Sequence, residues 1–429
     1  MTKYELDAKY DLDEKYDLDE KYLDELVRLT CDLVNIPTEN HPPDGDEAAG
    51  IEFMKGYLEK LGFKVDEYSP ADLQEYPSHP LFLERDFKGR NNLAVVWKGT
   101  GGGRSLLLSG HMDVAPKEPL PWTVTSPFAA LEKDGRIYGR GAADMKGGLA
   151  SAIIAVKMLR EKGFEPKGDI IFEVTVDEEY AGANGTLAGR LKGYNAGFAI
   201  NMEPTGLDVC PACVGAIILR IEIRGMAGMP FTGESISNPA YDMADLLTLI
   251  RSYGEKRERE IPAPAIWKDT LQGVQLITTK VKAGEAFEHG QLTLPLDAWC
   301  EVVIQYYPGE NEDSVVDDFT NYLAENYHSM DKVRIEKEYR YCLAASGDPG
   351  HPGVQTLSSV VKEYAPDEGR IRAAMFSCDM EMFIRAGNMP AVVFGPKGER
   401  LHAPDEWVSI ESLRLCAQSL AGFIAEWCG

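Results

Sequence analysis

The chain has 429 residues, of which 44% are apolar and 26% are charged, a composition typical of a soluble globular protein. Its 69 acidic residues outnumber its 44 basic ones and give a formal charge of −25. Such a surface repels phosphate groups, so nucleic acid and anionic membranes are excluded as partners. A chain of this length predicts two domains.

The sequence shows no targeting or membrane segment. No apolar run reaches the roughly 20 residues of a membrane-spanning helix, and the N-terminus lacks the apolar core of a secretory signal. The eight cysteines are scattered without the regular spacing of a disulfide framework. These features predict reduced thiols and a cytoplasmic location.

A six-residue repeat, with Lys-Tyr-Asp-Leu-Asp-Glu as its most regular form, occupies residues 3–22. Because six residues advance an α-helix by about 600°, the Tyr and Leu positions drift around the helix and form no apolar stripe. We therefore expect residues 1–22 to form an acidic, solvated extension, with a contact between subunits as the alternative.

Strand-like and helix-like stretches alternate through most of the chain. Helical patterns cover residues 22–34, 48–61 and 145–159, and short apolar runs between and after them predict buried strands. The predicted strands are 92–98, 105–109, 169–176, 196–201 and 391–394. This alternation is typical of an α/β domain with a mostly parallel sheet.

The pattern changes between residues 214 and 340, where the order of predicted elements is βαββαβ. That order is typical of a ferredoxin-like unit and indicates a domain inserted into the first one. The predicted domains are the extension over 1–22, a discontinuous domain formed by 23–213 and 341–429, and the inserted domain over 214–340.

A histidine and an aspartate come directly after the predicted strand over 105–109. Alternate positions of an extended segment point the same way, so the Asp113 carboxylate can lie behind the His111 imidazole. A carboxylate in that place fixes the tautomer of the imidazole and leaves its other nitrogen for a metal. Taken alone, a His-x-Asp pair is more often a polar strand end that hydrogen-bonds a loop.

Four later stretches repeat this design. Three predicted strands are followed by carboxylates or a histidine, and a further carboxylate precedes the third helix; these residues are Glu178, Glu179, Glu203, His402 and Asp144. Sites in open parallel sheets form at the carboxyl ends of the strands, so residues far apart in the chain can meet there. His, Asp and Glu hold zinc and similar divalent ions in hydrolytic sites. The alternative for the paired glutamates is a solvated strand end.

Five sequence strings resemble the motifs of the M20 family of metallopeptidases and deacylases, which includes acetylornithine deacetylase, succinyl-diaminopimelate desuccinylase and carboxypeptidase G. The strings are Ser109-Gly-His-Met-Asp-Val, Gly139-Arg-Gly-Ala-Ala-Asp-Met-Lys-Gly-Gly, Asp177-Glu-Glu, Glu203-Pro-Thr and His402-Ala-Pro-Asp-Glu. The resemblance covers nearly the whole chain except the repeat. It implies a catalytic domain with a two-metal site, and an inserted domain that acts as a lid and dimerisation module.

The resemblance also implies a ligand set for two divalent ions. Asp144 would bridge them, His111 and Glu203 would hold one, and Glu179 and His402 would hold the other. Zinc is the expected metal, and cobalt or manganese would be accepted by the same ligands.

Two further residues would complete the catalytic site implied by the resemblance. Asp113 would support His111, and Glu178 would be the general base that takes a proton from the metal-activated water and passes it to the leaving amine. One metal would polarise the amide carbonyl.

The inserted domain departs from the family pattern at two positions. Met229 stands where a histidine is expected, and Gln305 stands where an arginine associated with a substrate carboxylate is expected. Asn238 matches the family. His289 could replace the missing histidine, although an exposed loop histidine is the alternative.

These features predict a metal-dependent amidohydrolase that cleaves the amide bond of a small N-acylated amino acid or amine. The alternatives are a dipeptidase, a deformylase or carbamoylase acting on an amide that is not an amino acid derivative, and a non-catalytic metal-binding relative. The expected partners are a small-molecule amide and, through the lid, a second copy of the chain.

Overall fold

The computed structural model describes residues 16–179, 184–226, 237–268, 270, 273–284 and 296–429, with only the backbone of residues 339–341. Met229, His289 and the first part of the repeat lie outside the described residues. The expectation of a solvated extension is wrong for the end of the repeat. Tyr16 and Leu18, which lie just before the first helix, are buried in the main apolar core.

Nine α-helices are present in the described part of the chain. They are α1 (Glu20–Val34), α2 (Ala48–Lys60), α3 (Gly147–Glu161), α4 (Asn184–Lys192), α5 (Pro239–Glu260), α6 (Glu312–Asn326), α7 (Pro352–Tyr364), α8 (Met380–Arg385) and α9 (Ile410–Cys428). The three helices predicted before residue 160 are confirmed as α1, α2 and α3.

The strands of the described residues are short in the first half of the chain and longer in the middle. They are β1 (Asn40–His41), β2 (Asp44–Gly45), β3 (Asp66–Tyr68), β4 (Asn92–Trp97), β5 (Leu106–His111), β6 (Leu131–Lys133), β7 (Arg136–Tyr138), β8 (Ile170–Thr175), β9 (Ala199–Asn201), β10 (Ala212–Cys213), β11 (Gly215–Arg224), β12 (Leu276–Ala283), β13 (Asp297–Tyr306), β14 (Val333–Cys342), β15 (Ala345–Ser346), β16 (Ala391–Val393), β17 (Gly398–Glu399) and β18 (Trp407–Ser409). Each of the five strands predicted for the α/β domain has a counterpart, in β4, β5, β8, β9 and β16.

The chain divides into two compact units. The first comprises the described residues of 1–212, 346–374 and 378–429, and the second comprises those of 213–345 and 375–377. None of the described helices is long and apolar enough to cross a membrane.

A six-stranded sheet forms the centre of the first unit, in the order β16-β9-β5-β8-β4-β3. The first four strands are parallel, β4 is antiparallel to β8, and β3 is antiparallel to β4. The predicted mostly parallel sheet is therefore confirmed. The leucines of β5 have no exposed surface, as expected for a strand covered on both faces.

A second sheet in the first unit has the order β17-β18-β7-β6 and was not predicted. Its strands have two or three residues each, and β6 is exposed throughout, so the sequence has no apolar run there. In this sheet Trp407 of β18 pairs with Tyr138 of β7. That pairing brings the loop between β17 and β18 close to the turn that follows β7.

The second unit has the element order β11-α5-β12-β13-α6-β14, the βαββαβ order predicted from the sequence. Its four strands form an antiparallel sheet in the order β12-β13-β11-β14. Buried and partly exposed residues alternate along β13, so one face of the sheet is covered. Asn238 caps α5, since its side chain accepts a hydrogen bond from the main-chain N–H of Ala240.

Candidate metal centre

Asp144 lies between two histidines of the first unit. Its Oδ1 is 3.4 Å from Nε2 of His111, and its Oδ2 is 3.2 Å from Nε2 of His402. Asp144 belongs to a tight turn between β7 and α3 whose backbone departs from helical geometry at this residue. One carboxylate therefore faces two imidazoles that are almost 300 positions apart in the sequence.

Three carboxylates surround Nε2 of His111. Glu203 Oε1 lies at 3.5 Å and Glu178 Oε2 at 3.8 Å, in addition to Asp144. His111 is 1% exposed, and its Nε2 has no hydrogen-bond partner of good geometry among the described residues. Buried polar groups normally have a partner, so this nitrogen and the converging carboxylates fit a bound cation.

His402 forms the other half of the cluster. Its Nε2 lies 2.8 Å from Glu179 Oε2, and its side chain is half-exposed. The loop that carries it has positive φ angles at Arg400, His402 and Asp405. The Asp405 carboxylate fixes the loop by accepting a hydrogen bond from the main-chain N–H of Thr123 at 2.8 Å.

Two groups of residues therefore have the geometry of a metal site, and they share Asp144. One consists of His111, Asp144 and Glu203, and the other of Asp144, Glu179 and His402; in each group the candidate ligand atoms lie within 4.8 Å of one another. Nitrogen and oxygen donors of this kind suit zinc and other divalent transition metals.

The support of His111 differs in part from the expectation. Its Nδ1 lies 2.8 Å from the main-chain oxygen of Asp113, whereas the Asp113 carboxylate is 3.7 Å away. That carboxylate instead accepts hydrogen bonds from the main-chain N–H of Glu179 at 2.9 Å and from Asn40 Nδ2 at 2.8 Å. The residue expected behind the imidazole is present, but its backbone makes the closest contact.

Glu178 lies beside His111 and is 5% exposed. Burial raises the pKa of Glu178 well above its usual range, while the nearby His111 lowers it and Glu203 raises it. Burial and the neighbouring Asp144 raise the pKa of Glu203 to about 7. Without a cation, these carboxylates oppose one another's ionisation.

Asp177 holds the turn that carries the two glutamates, a role that was not predicted from the sequence. Its φ is +67°, which is uncommon outside glycine, and it is 1% exposed. Its carboxylate pairs with Arg90 at 2.8 Å and accepts from Asn40 Nδ2 at 3.3 Å. Asn40 therefore connects Asp177 with Asp113. The signal in the sequence was an aspartate directly before Glu178.

Glu406 was also missed as a functional candidate. Its Oε1 accepts hydrogen bonds from the main-chain N–H groups of Ala143 at 3.0 Å and Asp144 at 3.2 Å, and its Oε2 accepts from Arg140 at 2.7 Å. Burial raises the pKa of Glu406 to about 7, and Arg140 opposes the shift. Its position four residues after His402 was the available signal.

Gln305 lies in the second unit, and its side-chain amide is engaged there. Its Nε2 donates to the main-chain oxygen of Met375 at 3.2 Å, and its Oε1 accepts from the main-chain N–H of Gln275 at 3.2 Å. The structure thus places a neutral, hydrogen-bonded side chain where the family resemblance predicts an arginine.

The sequence model of peptidase family M20/M25/M40 matches residues 107–426. The chain belongs to this family. The match covers all five expected metal ligands and Glu178, and it confirms the resemblance drawn from the five strings. As a member of a family of peptidases, the M20 chain is a hydrolase of amide bonds.

The sequence matches to two curated relatives cover nearly the whole M20 chain. It is 30% identical to the N-formyl-4-amino-5-aminomethyl-2-methylpyrimidine deformylase of Bacillus subtilis, over 94% of this chain and 95% of the relative. It is 27% identical to the succinyl-diaminopimelate desuccinylase of Nautilia profundicola, over 89% of this chain and 95% of the relative.

Among solved structures, the M20 chain is similar to the dipeptidase Dug1p of Saccharomyces cerevisiae, with a TM-score of 0.76. The sequence identity is 16%, and the match covers 97% of this chain and 98% of the other. At this identity the likeness concerns the fold alone.

Proposed function

We propose that the M20 chain hydrolyses the amide bond of a small N-acylated amine at a centre of two divalent metal ions. The observation that carries the proposal is the position of Asp144, whose two oxygens face His111 and His402. His111, Asp144 and Glu203 would hold one ion, Asp144, Glu179 and His402 would hold the other, and Asp144 would thus be shared between them. The amide-hydrolysing family and the two groups of candidate ligands support it.

Glu178 is the proposed general base. Two bridged divalent ions, when bound, lower the pKa of a water towards neutrality and polarise the carbonyl of the substrate. Glu178 lies beside His111 but belongs to neither ligand group, so its carboxylate is available to take a proton from water and deliver it to the leaving nitrogen. Asp113 holds His111 through its main-chain oxygen and Glu179 through its carboxylate.

The proposed substrate class is the N-formyl derivative of an amine that lacks a carboxylate, such as an aminomethyl heterocycle. The support is similarity to two curated pyrimidine deformylases, at 30% and 28% identity, each over 94% of the chain. Gln305 agrees with this class, since a neutral amide stands where the family pattern has an arginine associated with substrate carboxylates.

Deacylation of an N-acyl amino acid is the second candidate function. The 27% identity to a desuccinylase, which extends over 89% of the chain, favours it. This candidate function requires a positively charged side chain at a position other than 305 to bind the substrate carboxylate.

The two candidates differ in what the amine carries, so matched substrates separate them. The metal-loaded protein would be given N-formyl, N-acetyl and N-succinyl derivatives of an aminomethylpyrimidine and of an α-amino acid, and amine release would be measured. We expect the formylated heterocycle to have the highest kcat/KM. Turnover of amino acid derivatives alone would favour the deacylase, and absence of turnover with both metals bound would contradict both candidates.

We further propose that zinc is the resident metal and that the protein is cytoplasmic. We also propose that the βαββαβ unit is an inserted domain that acts as a lid and forms a homodimer. The nitrogen and oxygen ligands support zinc, although cobalt and manganese suit the same donors. Metal analysis of protein purified without chelators would test the metal, and sedimentation equilibrium would test the dimer.

A further inference from the structure

Glu406 joins two parts of the first unit that each carry one proposed metal ligand. It is completely buried, and its partner Arg140 is 1% exposed. Its Oε1 accepts from the main-chain N–H groups of Ala143 and Asp144, at 3.0 and 3.2 Å. These bonds hold the backbone of Asp144 itself, so Glu406 acts directly on the residue that faces both histidines.

Glu406 also belongs to the segment that carries His402. Its main-chain oxygen accepts from the N–H of Gly139 at 2.9 Å, at the start of the same turn. The preceding residue, Asp405, binds main-chain N–H groups at Thr123 and Val124. The segment from 402 to 406 is therefore attached to the Asp144 turn by both the backbone and the side chain of Glu406.

We infer that Glu406 is a positioning residue that fixes the bridging carboxylate Asp144 relative to His402, so that two metal ions bind as a pair. The inference rests on the proposed metal centre. It adds a role for a residue that belongs to neither group of candidate ligands. Removal of Glu406 would leave the side chains of both ligands present but would release the turn that aims Asp144.

A carboxylate is required at this position because of the number of donors around it. Two main-chain N–H groups and one guanidinium point at its two oxygens. A glutamine would offer one oxygen, and its amide nitrogen would face either Arg140 or the two N–H groups as a second donor. Glu406→Gln therefore keeps the size of the side chain but loses either the hydrogen bond from Arg140 or those from the main-chain N–H groups of Ala143 and Asp144.

Manganese can show whether two ions bind as a pair. Two exchange-coupled Mn²⁺ ions give a different electron paramagnetic resonance spectrum from isolated Mn²⁺ ions. Mn²⁺ alone would be titrated into metal-free wild-type protein and Glu406→Gln. We expect the first ion to bind with similar affinity in both proteins. In the variant, the second ion should bind about tenfold more weakly or worse, with a matching loss of the coupled signal.

Glu310→Gln is the matched control, because Glu310 has similar chemistry in the second unit. Its carboxylate accepts from Arg257 at 2.8 Å and from the main-chain N–H of Tyr307 at 2.8 Å. It lies outside both candidate ligand groups. We expect this variant to bind the manganese pair as the wild type does.

The possible results distinguish failure of this inference from failure of the proposed metal centre. A wild-type protein that binds no coupled pair would overturn both. A wild-type pair that persists with unchanged affinity in Glu406→Gln, or a folded variant that loses both ions equally, would overturn the inference alone. If near-ultraviolet circular dichroism shows that Glu406→Gln does not fold, Glu406→Asp is judged by the same criteria, because it keeps the charge beside Arg140 but shortens the reach to Asp144.

Discussion

His111 Nδ1 lies 2.8 Å from the main-chain oxygen of Asp113, while the carboxylate of Asp113 reaches away to the main-chain N–H of Glu179. The same residue thus orients His111 with its backbone and Glu179 with its side chain. Because these two residues belong to different ligand groups, Asp113 influences both halves of the proposed centre.

Asp113→Ala should separate the two effects. The main-chain contact to His111 remains, whereas the single oxygen, Oδ2, that accepts from both Asn40 and Glu179 is removed. We expect activity to fall about 10–100-fold, with the weaker metal binding confined to the ion held by Glu179 and His402. Metal content after graded chelation would be measured beside kcat. Loss of the ion on the His111 side first would contradict this assignment.

Glu178→Gln should retain the metals and lose the chemistry. Glu178 is outside both ligand groups, so metal content should stay near that of the wild type. Removal of a general base costs about 10²–10⁴-fold in rate, and the acidic limb of the pH–rate profile should disappear with it. Full activity would exclude Glu178 as the base. Glu179→Gln is the comparison variant, since it should lose metal as well as activity.

The sequence predicted the central sheet, and the residues that cluster near the ends of its strands, better than it predicted the residues that hold this cluster in place. β5 and β8 begin with apolar residues and are buried throughout, His111 is the last residue of β5, and Glu178 comes three residues after β8, so both the strands and their ends were visible. The sheet that contains β7 and β18 was missed because its strands are two or three residues long and partly polar. That sheet brings the His402 loop to Asp144. Because the sheet was not predicted, only the family resemblance indicated that these two residues lie together.

Supporting residues were harder to predict, because their roles depend on contacts between distant segments. Asn40 touches Asp113 and Asp177 from a short strand that has no apolar pattern. Glu406 was part of a recognised string, but its hydrogen bonds to the Asp144 turn depend on the pairing of β7 with β18. The contact between the backbone of Asp113 and the imidazole of His111 also has no signal in the sequence.

The pH dependence of stability should differ between metal-free and metal-loaded protein. Although burial opposes its charge, the carboxylates of Glu203 and Asp144 raise the pKa of His111 well above its usual value. Glu179 does the same for His402. These imidazoles stabilise the metal-free fold fully below about pH 6.5, and the stabilisation is lost as the pH rises through their folded-state pKa values.

Glu203 acts in the same direction in the metal-free protein. Burial raises its pKa to about 7, so the folded state binds more protons than the unfolded state between its usual pKa and about pH 7, and stability falls across that range. Metal binding displaces these protons and neutralises the carboxylates. We expect the difference in Tm between loaded and metal-free protein to grow from pH 6 to pH 8. A constant difference would contradict the proton displacement.

Arg90 compensates two buried carboxylates beneath the turn that carries Glu178. It pairs with Glu47 at 2.6 Å and with Asp177 at 2.8 Å, and all three side chains are at most 1% exposed. Removing one partner from such a group leaves an uncompensated buried charge, so Arg90→Met should lower the free energy of unfolding by about 3–5 kcal/mol. The double variant Arg90→Met/Glu47→Leu should recover part of that loss, because one of the two carboxylates that pair with Arg90 is gone. Urea denaturation of both variants and of Glu47→Leu alone gives the coupling, and additive effects would show that Arg90 and Glu47 do not stabilise each other.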